Sequence, residues 1–249
     1  MPGAVCAVVR SSQPAALTAI AAQTRKPDAV VAHDGSWHGA VAAGAADGAD
    51  WLWLLEAGVT PQPQALERLL ASLADLADLR QPVLLASKVT TPSGQLHPDS
   101  APWIPLLDRA SVIAAARRHL ASIRLARWGS LLVHRGALAL HGLPREDYAD
   151  GADDLEWTAR LLRDGGGYLV PGSVAVRDTP VRAPALSSRE VRDRVRMVRG
   201  DGWVGPEPAW FALMLGVDAL GDLRTTPHPR TVRRLLRGVS SGLSRRSAA

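Results

Sequence analysis

Three carboxylates, Asp153, Asp154 and Glu156, fall within four residues just ahead of a helical pattern. Leu155, Ala159 and Leu162 recur at i, i+4 and i+7, which is one face of an α-helix. Gly165, Gly166 and Gly167 then end that helix, and an apolar strand at 168–170 follows at once. Carboxylates held together at a helix N-terminus beside a strand end can take a proton from an incoming hydroxyl. The same residues also serve as a plain cap, because acidic side chains stabilise the positive end of a helix by about 0.3–1 kcal/mol. On the residues alone, both uses stand.

Alternating strand and helix signals fill the chain ahead of this segment. Apolar runs at 4–9, 29–32, 50–55, 83–86 and 128–133 read as strands. Between them, 15–23, 40–46, 63–79, the Arg-studded 109–127 and 136–141 read as helical, and 90–105 as a long Pro/Ser/Thr/Gly loop. Such alternation predicts βαβ units: four strands within 4–88, completed by 128–176 into one mixed sheet. Ligands of open α/β sheets bind at the carboxyl ends of the strands. That rim would carry Arg10-Ser11-Ser12, His33-Asp34-Gly35-Ser36 and Glu56-Ala57-Gly58.

Composition narrows the class. At 47% hydrophobic and 21% charged, the 249 residues suit a globular protein able to bury a substantial core. Cys6 is the only cysteine, so no internal disulfide forms and a reducing compartment is expected. Neither a leader segment nor a spanning helix is expected, since no apolar run nears the ~20 residues needed to cross a bilayer. After Asp222 the chain has seven arginines and no acid; the other 22 basic residues face 24 acidic ones. The positive charge is therefore a property of the tail, which argues against a broad nucleic-acid-binding face.

Several segments, in order, resemble the family-2 inverting glycosyltransferases of the GT-A fold, in their galactofuranosyl- and rhamnosyltransferase-like branch. Gln23-Thr24-Arg25-Lys26-Pro27-Asp28-Ala29-Val30-Val31 is similar to the family's helix-to-strand passage, and His33-Asp34-Gly35-Ser36 stands where Asp-Asp-Gly-Ser is usual. Ala49-Asp50-Trp51-Leu52-Trp53-Leu54-Leu55 followed by Thr60-Pro61 is similar to the strand that leads to the metal motif. Leu131-Leu132-Val133-His134-Arg135 through Gly142-Leu143-Pro144 resembles the strand and short helix before the acceptor site. Gly151-Ala152-Asp153-Asp154-Leu155-Glu156-Trp157 with Arg160 resembles the D-D-x-E acceptor and base motif.

The resemblance implies a mostly parallel mixed sheet flanked by helices over residues 1–180, with a helical, Arg-rich appendage over 181–249. It also implies an inverting transfer from a nucleotide sugar to a hydroxyl of a cell-envelope glycan or lipid-linked acceptor. By motif position Asp154 is the base; Asp153, Glu156, Trp157 and Arg160 bind the acceptor; Arg10, His33, Asp34, Glu56 and Arg177 bind the donor. The sequence departs from the family where a divalent Mg or Mn ion is usually held. Glu56-Ala57-Gly58 replaces the Asp-rich motif, Arg177 stands in place of a later His, and His33 in place of Asp. Hard cations need several oxygen ligands, so no metal cofactor is expected. Two readings follow: Arg177 supplies the charge a metal would give, or the domain is an inactive binder of a glycan or partner enzyme. A nucleotidyltransferase is disfavoured, because no Gly-rich phosphate loop follows the first strand.

The tail adds one more expectation. Trp203, Trp210, Phe211, Leu213, Met214, Leu215, Val217 and Leu220 precede a basic amphipathic helix at 229–237. Apolar and aromatic residues beside arginines suit a peripheral membrane contact through 203–246. The implied location is cytoplasmic, at the inner face of the plasma membrane.

Overall fold

The computed structural model describes residues 3–10, 14–105, 108–148, 152–181 and 186–244. Ser11, Ser12 and Gly151, named above, lie outside the described residues, as do Arg245 and Arg246, the last two of the seven arginines after Asp222.

The chain runs β1 (Val5–Val9), α1 (Pro14–Ala21), β2 (Ala29–Ala32), α2 (Trp37–Ala46), β3 (Trp51–Leu55), β4 (Val59–Pro61), α3 (Ala65–Asp75) and β5 (Pro82–Thr90). It continues through α4 (Arg109–Ala116), β6 (Ala121–Ile123), β7 (Ser130–His134), α5 (Arg135–His141), α6 (Asp153–Asp164) and β8 (Gly166–Arg177). Three helices follow: α7 (Ser188–Val198), α8 (Glu207–Thr225) and α9 (Pro229–Ser244). The described strands form one sheet in the order β2-β1-β3-β7-β5-β8-β4, with β6 pairing β8. β2, β1, β3, β5 and β8 run in one direction, and β7, β4 and β6 oppose them.

Period-two side chains on strands buried on both faces make a three-layer core. Cys6, Val8, Leu52, Leu54, Leu131 and Val133 face α2, α5 and α6 through Trp37, Val41, Leu138, Trp157 and Leu161. Val5, Ala7, Val9, Trp53, Leu55 and Leu132 face α1 and α3 through Ile20, Leu66, Leu69 and Leu70. The indole of Trp53 donates to Ser130 at 3.1 Å, and Ser130, Ser87 and Ser173 form a buried hydroxyl chain at 2.7 and 2.8 Å. That chain satisfies polar groups that would otherwise be costly inside the sheet.

Several elements differ from their sequence patterns. The strand expected at 168–170 extends over Gly166–Arg177, because β5 itself runs on to Thr90 and offers it pairing partners. Gly165 caps α6, but Gly166 and Gly167 belong to β8. The helix expected over 109–127 stops at Ala116; His119 takes a φ of 58°, and residues 121–123 pair with β8. β7 inserts antiparallel between β3 and β5, so the early strands are not contiguous. The pattern of short apolar runs could not show this, since strand order is fixed by crossovers.

At Gly167, β8 comes close to both α6 and β6. A Cβ there would meet the Leu162 methyls at 2.7 Å and the Ile123 carbonyl at 2.9 Å. Gly167→Ala should therefore lower unfolding free energy by about 1–3 kcal/mol, the usual cost of overpacking. A denaturant midpoint unchanged from wild type would show that β6 and α6 can yield there.

Candidate functional site

α6 begins at the edge of the sheet where the parallel strands end, and β7 begins at that same edge because it runs the other way. Trp128, just ahead of β7, joins the two. Its backbone N–H donates to Asp154 Oδ2 at 3.2 Å, and its indole N–H donates to Asp153 Oδ2 at 2.9 Å. Asp154 Oδ1 accepts the Leu155 N–H at 2.7 Å and lies 3.7 Å from the Arg127 guanidinium. The Trp128 ring stacks on Trp37 at 4.1 Å and tilts against Trp157 at 5.4 Å.

The five residues expected at the acceptor site are divided by this arrangement. Asp154, though only 3% exposed, lines the main cleft. Asp153 is held by Trp128, and Trp157 is fully buried with its indole donating to the Gly142 carbonyl at 3.0 Å. Glu156 takes a forked pair from Arg160 at 2.7 and 3.0 Å and lies 3.2 Å from Arg145. Arg160 also donates to the carbonyls of His141 and Leu143, which fixes the loop ahead of α6. Asp153, Glu156, Trp157 and Arg160 thus brace the helix start and do not face the cleft; Arg160 reaches a separate polar pocket beside His141 and Asp201.

On the donor side, Arg10, Glu56 and Arg177 meet at the cleft. Arg10 lies over the Trp37 ring at 5.7 Å. Arg177 is ion-paired with Glu56 and donates to the Trp128 carbonyl at 3.0 Å. Burial pushes the Glu56 carboxyl above its ordinary range; Arg177 opposes that, and the Asp154 charge adds to it. The guanidinium expected to meet phosphates is therefore already committed to a carboxylate. His33 and Asp34 sit on the same rim but not in the cleft lining. The His33 ring accepts the Gly35 N–H at 3.0 Å and closes a turn; a Cβ on Gly35 would come within 2.5 Å of it.

The cleft holds about 1030 Å³, and its far wall comes from the C-terminal helices. Glu190 and Arg194 of α7 and Asp218 and Asp222 of α8 face it, with Thr179, Pro180 and Val181 between. Arg194 bridges Glu190 and Asp218 at 2.8 Å each, and Asp222 pairs with Arg234 of α9 at 2.6 Å. Arg127, Asp99 and these four residues were not foreseen. Arg127 was legible in principle, since the residue before an antiparallel strand shares the rim with its neighbours' ends. In all, four arginines stand among six carboxylates.

A metal site does not fit these residues. Glu56 is the one carboxylate at the end of β3, and it is bound to Arg177. Among the described residues no three His, Cys, Asp or Glu side chains converge on a point that could hold an ion.

No protein-family model matches the chain, and no curated protein matches it. Solved structures do. GalNAc-T7, crystallised with UDP, GalNAc and Mn²⁺, is similar at a TM-score of 0.53 and 12% identity, covering 79% of this chain and 47% of that one. A197 from STIV aligns at a TM-score of 0.46 and 12% identity, covering 72% of this chain and 87% of that one. The chain thus spans just under half the length of the glycosyltransferase it matches. The fold is of the GT-A type, a mixed α/β sheet flanked by helices.

The bracing role of Glu156 can be separated from ligand binding by stability. Glu156→Gln leaves the buried Arg160 guanidinium uncompensated and should cost about 3–5 kcal/mol, as breaking a buried ion pair does. A residue that only contacts an acceptor would leave the melting transition where it is.

Proposed function

We propose that this chain transfers a sugar from a nucleoside-diphosphate donor to a hydroxyl of a cell-envelope glycan or lipid-linked acceptor, with inversion and without a metal ion. The observation that carries this reading is the meeting of Arg10, Arg127 and Arg177 with Asp154 in one cleft, at the carboxyl ends of the parallel strands. The acceptor oxygen attacks the anomeric carbon as the bond to the diphosphate breaks. Its proton passes to Asp154, and the charge that develops on the leaving diphosphate falls to the arginines, whose planar forks suit phosphate oxygens. Residues 1–180 would be the transferase unit, and 181–249 the appendage that lines the acceptor side. On this reading the reaction takes place in the cytoplasm, at the inner face of the plasma membrane.

A second reading, a binding domain that transfers nothing, is favoured by two observations. Arg177 is tied to Glu56, and the cleft carries more carboxylates than arginines. Two variants decide between the readings. Asp154→Asn should lower turnover by about 10²–10⁴-fold, the usual contribution of a positioned base. Asn also loses one of the two backbone N–H acceptors, so a stability loss of about 1–3 kcal/mol is expected, and rates must be taken where both proteins are folded. A wild-type chain that moves no sugar from any of a panel of nucleotide donors would favour the binding domain.

Glu56→Gln releases Arg177. Affinity for a nucleoside diphosphate should then rise by about 10-fold, as one new charge-assisted hydrogen bond to a phosphate oxygen would give. In the wild type, protonation does the same. Below the raised Glu56 pKa the carboxyl is neutral and Arg177 is free; above it the ion pair holds. The affinity gap between wild type and Glu56→Gln should therefore close as pH falls from neutrality through the carboxylate range, as calorimetry at several pH values would read. Were Glu56 a metal ligand, Glu56→Gln would instead weaken binding.

A further inference from the structure

α9 is a helix of 16 residues with two apolar faces, and only one of them is used inside the molecule. Thr231, Leu235, Gly238 and Gly242 are buried, the last three against α7. A Cβ on Gly238 would meet the Ser188 carbonyl at 2.7 Å, and one on Gly242 the Arg192 carbonyl at 2.7 Å. The two backbones are therefore in close contact, which fixes the rotation of α9 about its axis. That rotation turns a second stripe outward: Val232, Leu236, Val239 and Leu243, at i, i+4, i+7 and i+11, are 43%, 63%, 38% and 56% exposed.

The surroundings of the stripe are cationic. Arg230, Arg233 and Arg237 are exposed on α9, and Arg199 reaches its end by donating to the Leu243 carbonyl at 3.1 Å. No acidic residue follows Asp222, which is itself buried and paired with Arg234. By contrast, Phe211 and Leu215 of the apolar cluster on α8 are internal, and Trp203 packs on Phe211, so these three do not take part. No described helix is long and apolar enough to cross a membrane.

We infer that α9 docks on an anionic lipid surface, lying in its plane with Val232, Leu236, Val239 and Leu243 in the headgroup boundary. The arginines beside it pair with lipid phosphates. A second copy of the chain fits less well, because two such faces would bring their arginine rows together. A nucleic acid would use the arginines and leave the apolar stripe in water.

The test is sedimentation of the full chain with vesicles of phosphatidylcholine, alone or mixed with phosphatidylglycerol. Wild type should bind the anionic vesicles about 10-fold more tightly than the neutral ones. Leu236→Gln with Leu243→Gln should weaken binding about 10-fold while the melting temperature stays put, since both side chains are exposed. Arg233→Gln with Arg237→Gln should abolish the preference for anionic lipid. The proposal is overturned if wild type remains in the supernatant with both vesicles, or if the leucine variant binds as wild type does. Duplex DNA retarded equally by wild type and leucine variant, with no vesicle binding, would make the face a nucleic-acid contact. A dimer in light scattering that the leucine variant dissolves would make it a subunit interface.

Discussion

Trp128 is the residue on which the rim of the sheet depends. Its N–H holds Asp154, its indole holds Asp153, its carbonyl accepts Arg177, and its ring stacks on Trp37 and tilts against Trp157. These partners come from several different elements, and the backbone and side chain of one residue relate them. Arg10 joins the same assembly through the ring of Trp37. The aromatic stack excludes water from one side of the charged groups, so the hydrogen bonds made there act in a lower dielectric than at an open surface. Position along the chain explains why this residue reaches the rim. Trp128 precedes β7, and an antiparallel strand set between parallel ones starts at the edge where its neighbours end.

The Glu56–Arg177 pair occupies the rim of the cleft at the carboxyl end of β3. One carboxylate and one guanidinium, both largely withdrawn from solvent, neutralise each other. Removing either would leave the other uncompensated, which is costlier than replacing both. The pair therefore constrains any anion that enters, since a phosphate must compete with Glu56 for Arg177. Burial and the Asp154 charge disfavour the ionised form of Glu56, and Arg177 opposes them.

Much of the fold was legible because β-strands buried on both faces read as continuous apolar runs, and the stretches at 4–9 and 50–55 nearly coincide with β1 and β3. What failed was non-local. β6 exists because β8 offers an open edge, and nothing in Ala121–Ile123 separates it from the helix before it. The site shows the same division. The spacing of Asp153, Asp154 and Glu156 correctly marked a helix N-terminus, yet spacing cannot tell an inward carboxylate from one that reaches a cleft. Arg145, Arg160 and Trp128 decide that, and spacing at the motif does not reveal where they point. Glu190, Asp218 and Asp222 lie on helices whose sequence reads as an amphipathic appendage, so their approach to the rim was invisible until α7 and α8 were in place.

That far wall gives the cleft a polarity of its own. The sheet edge contributes Arg10, Arg127 and Arg177, and the helical wall contributes Glu190, Asp218 and Asp222 with a single arginine, Arg194. Guanidinium groups recognise phosphate oxygens, whereas carboxylates accept hydrogen bonds from sugar hydroxyls and repel phosphates. On the proposed reading the two ends of the cleft therefore sort the substrates by charge. The diphosphate of a donor is drawn to the rim, and a neutral polyhydroxyl acceptor to the helices, with Asp154 beside Arg127 at the rim. The buried tie from Asp222 to Arg234 links this acceptor wall to α9. A helix lying on a lipid surface would then hold the acceptor end of the cleft near that surface, as a lipid-linked acceptor requires.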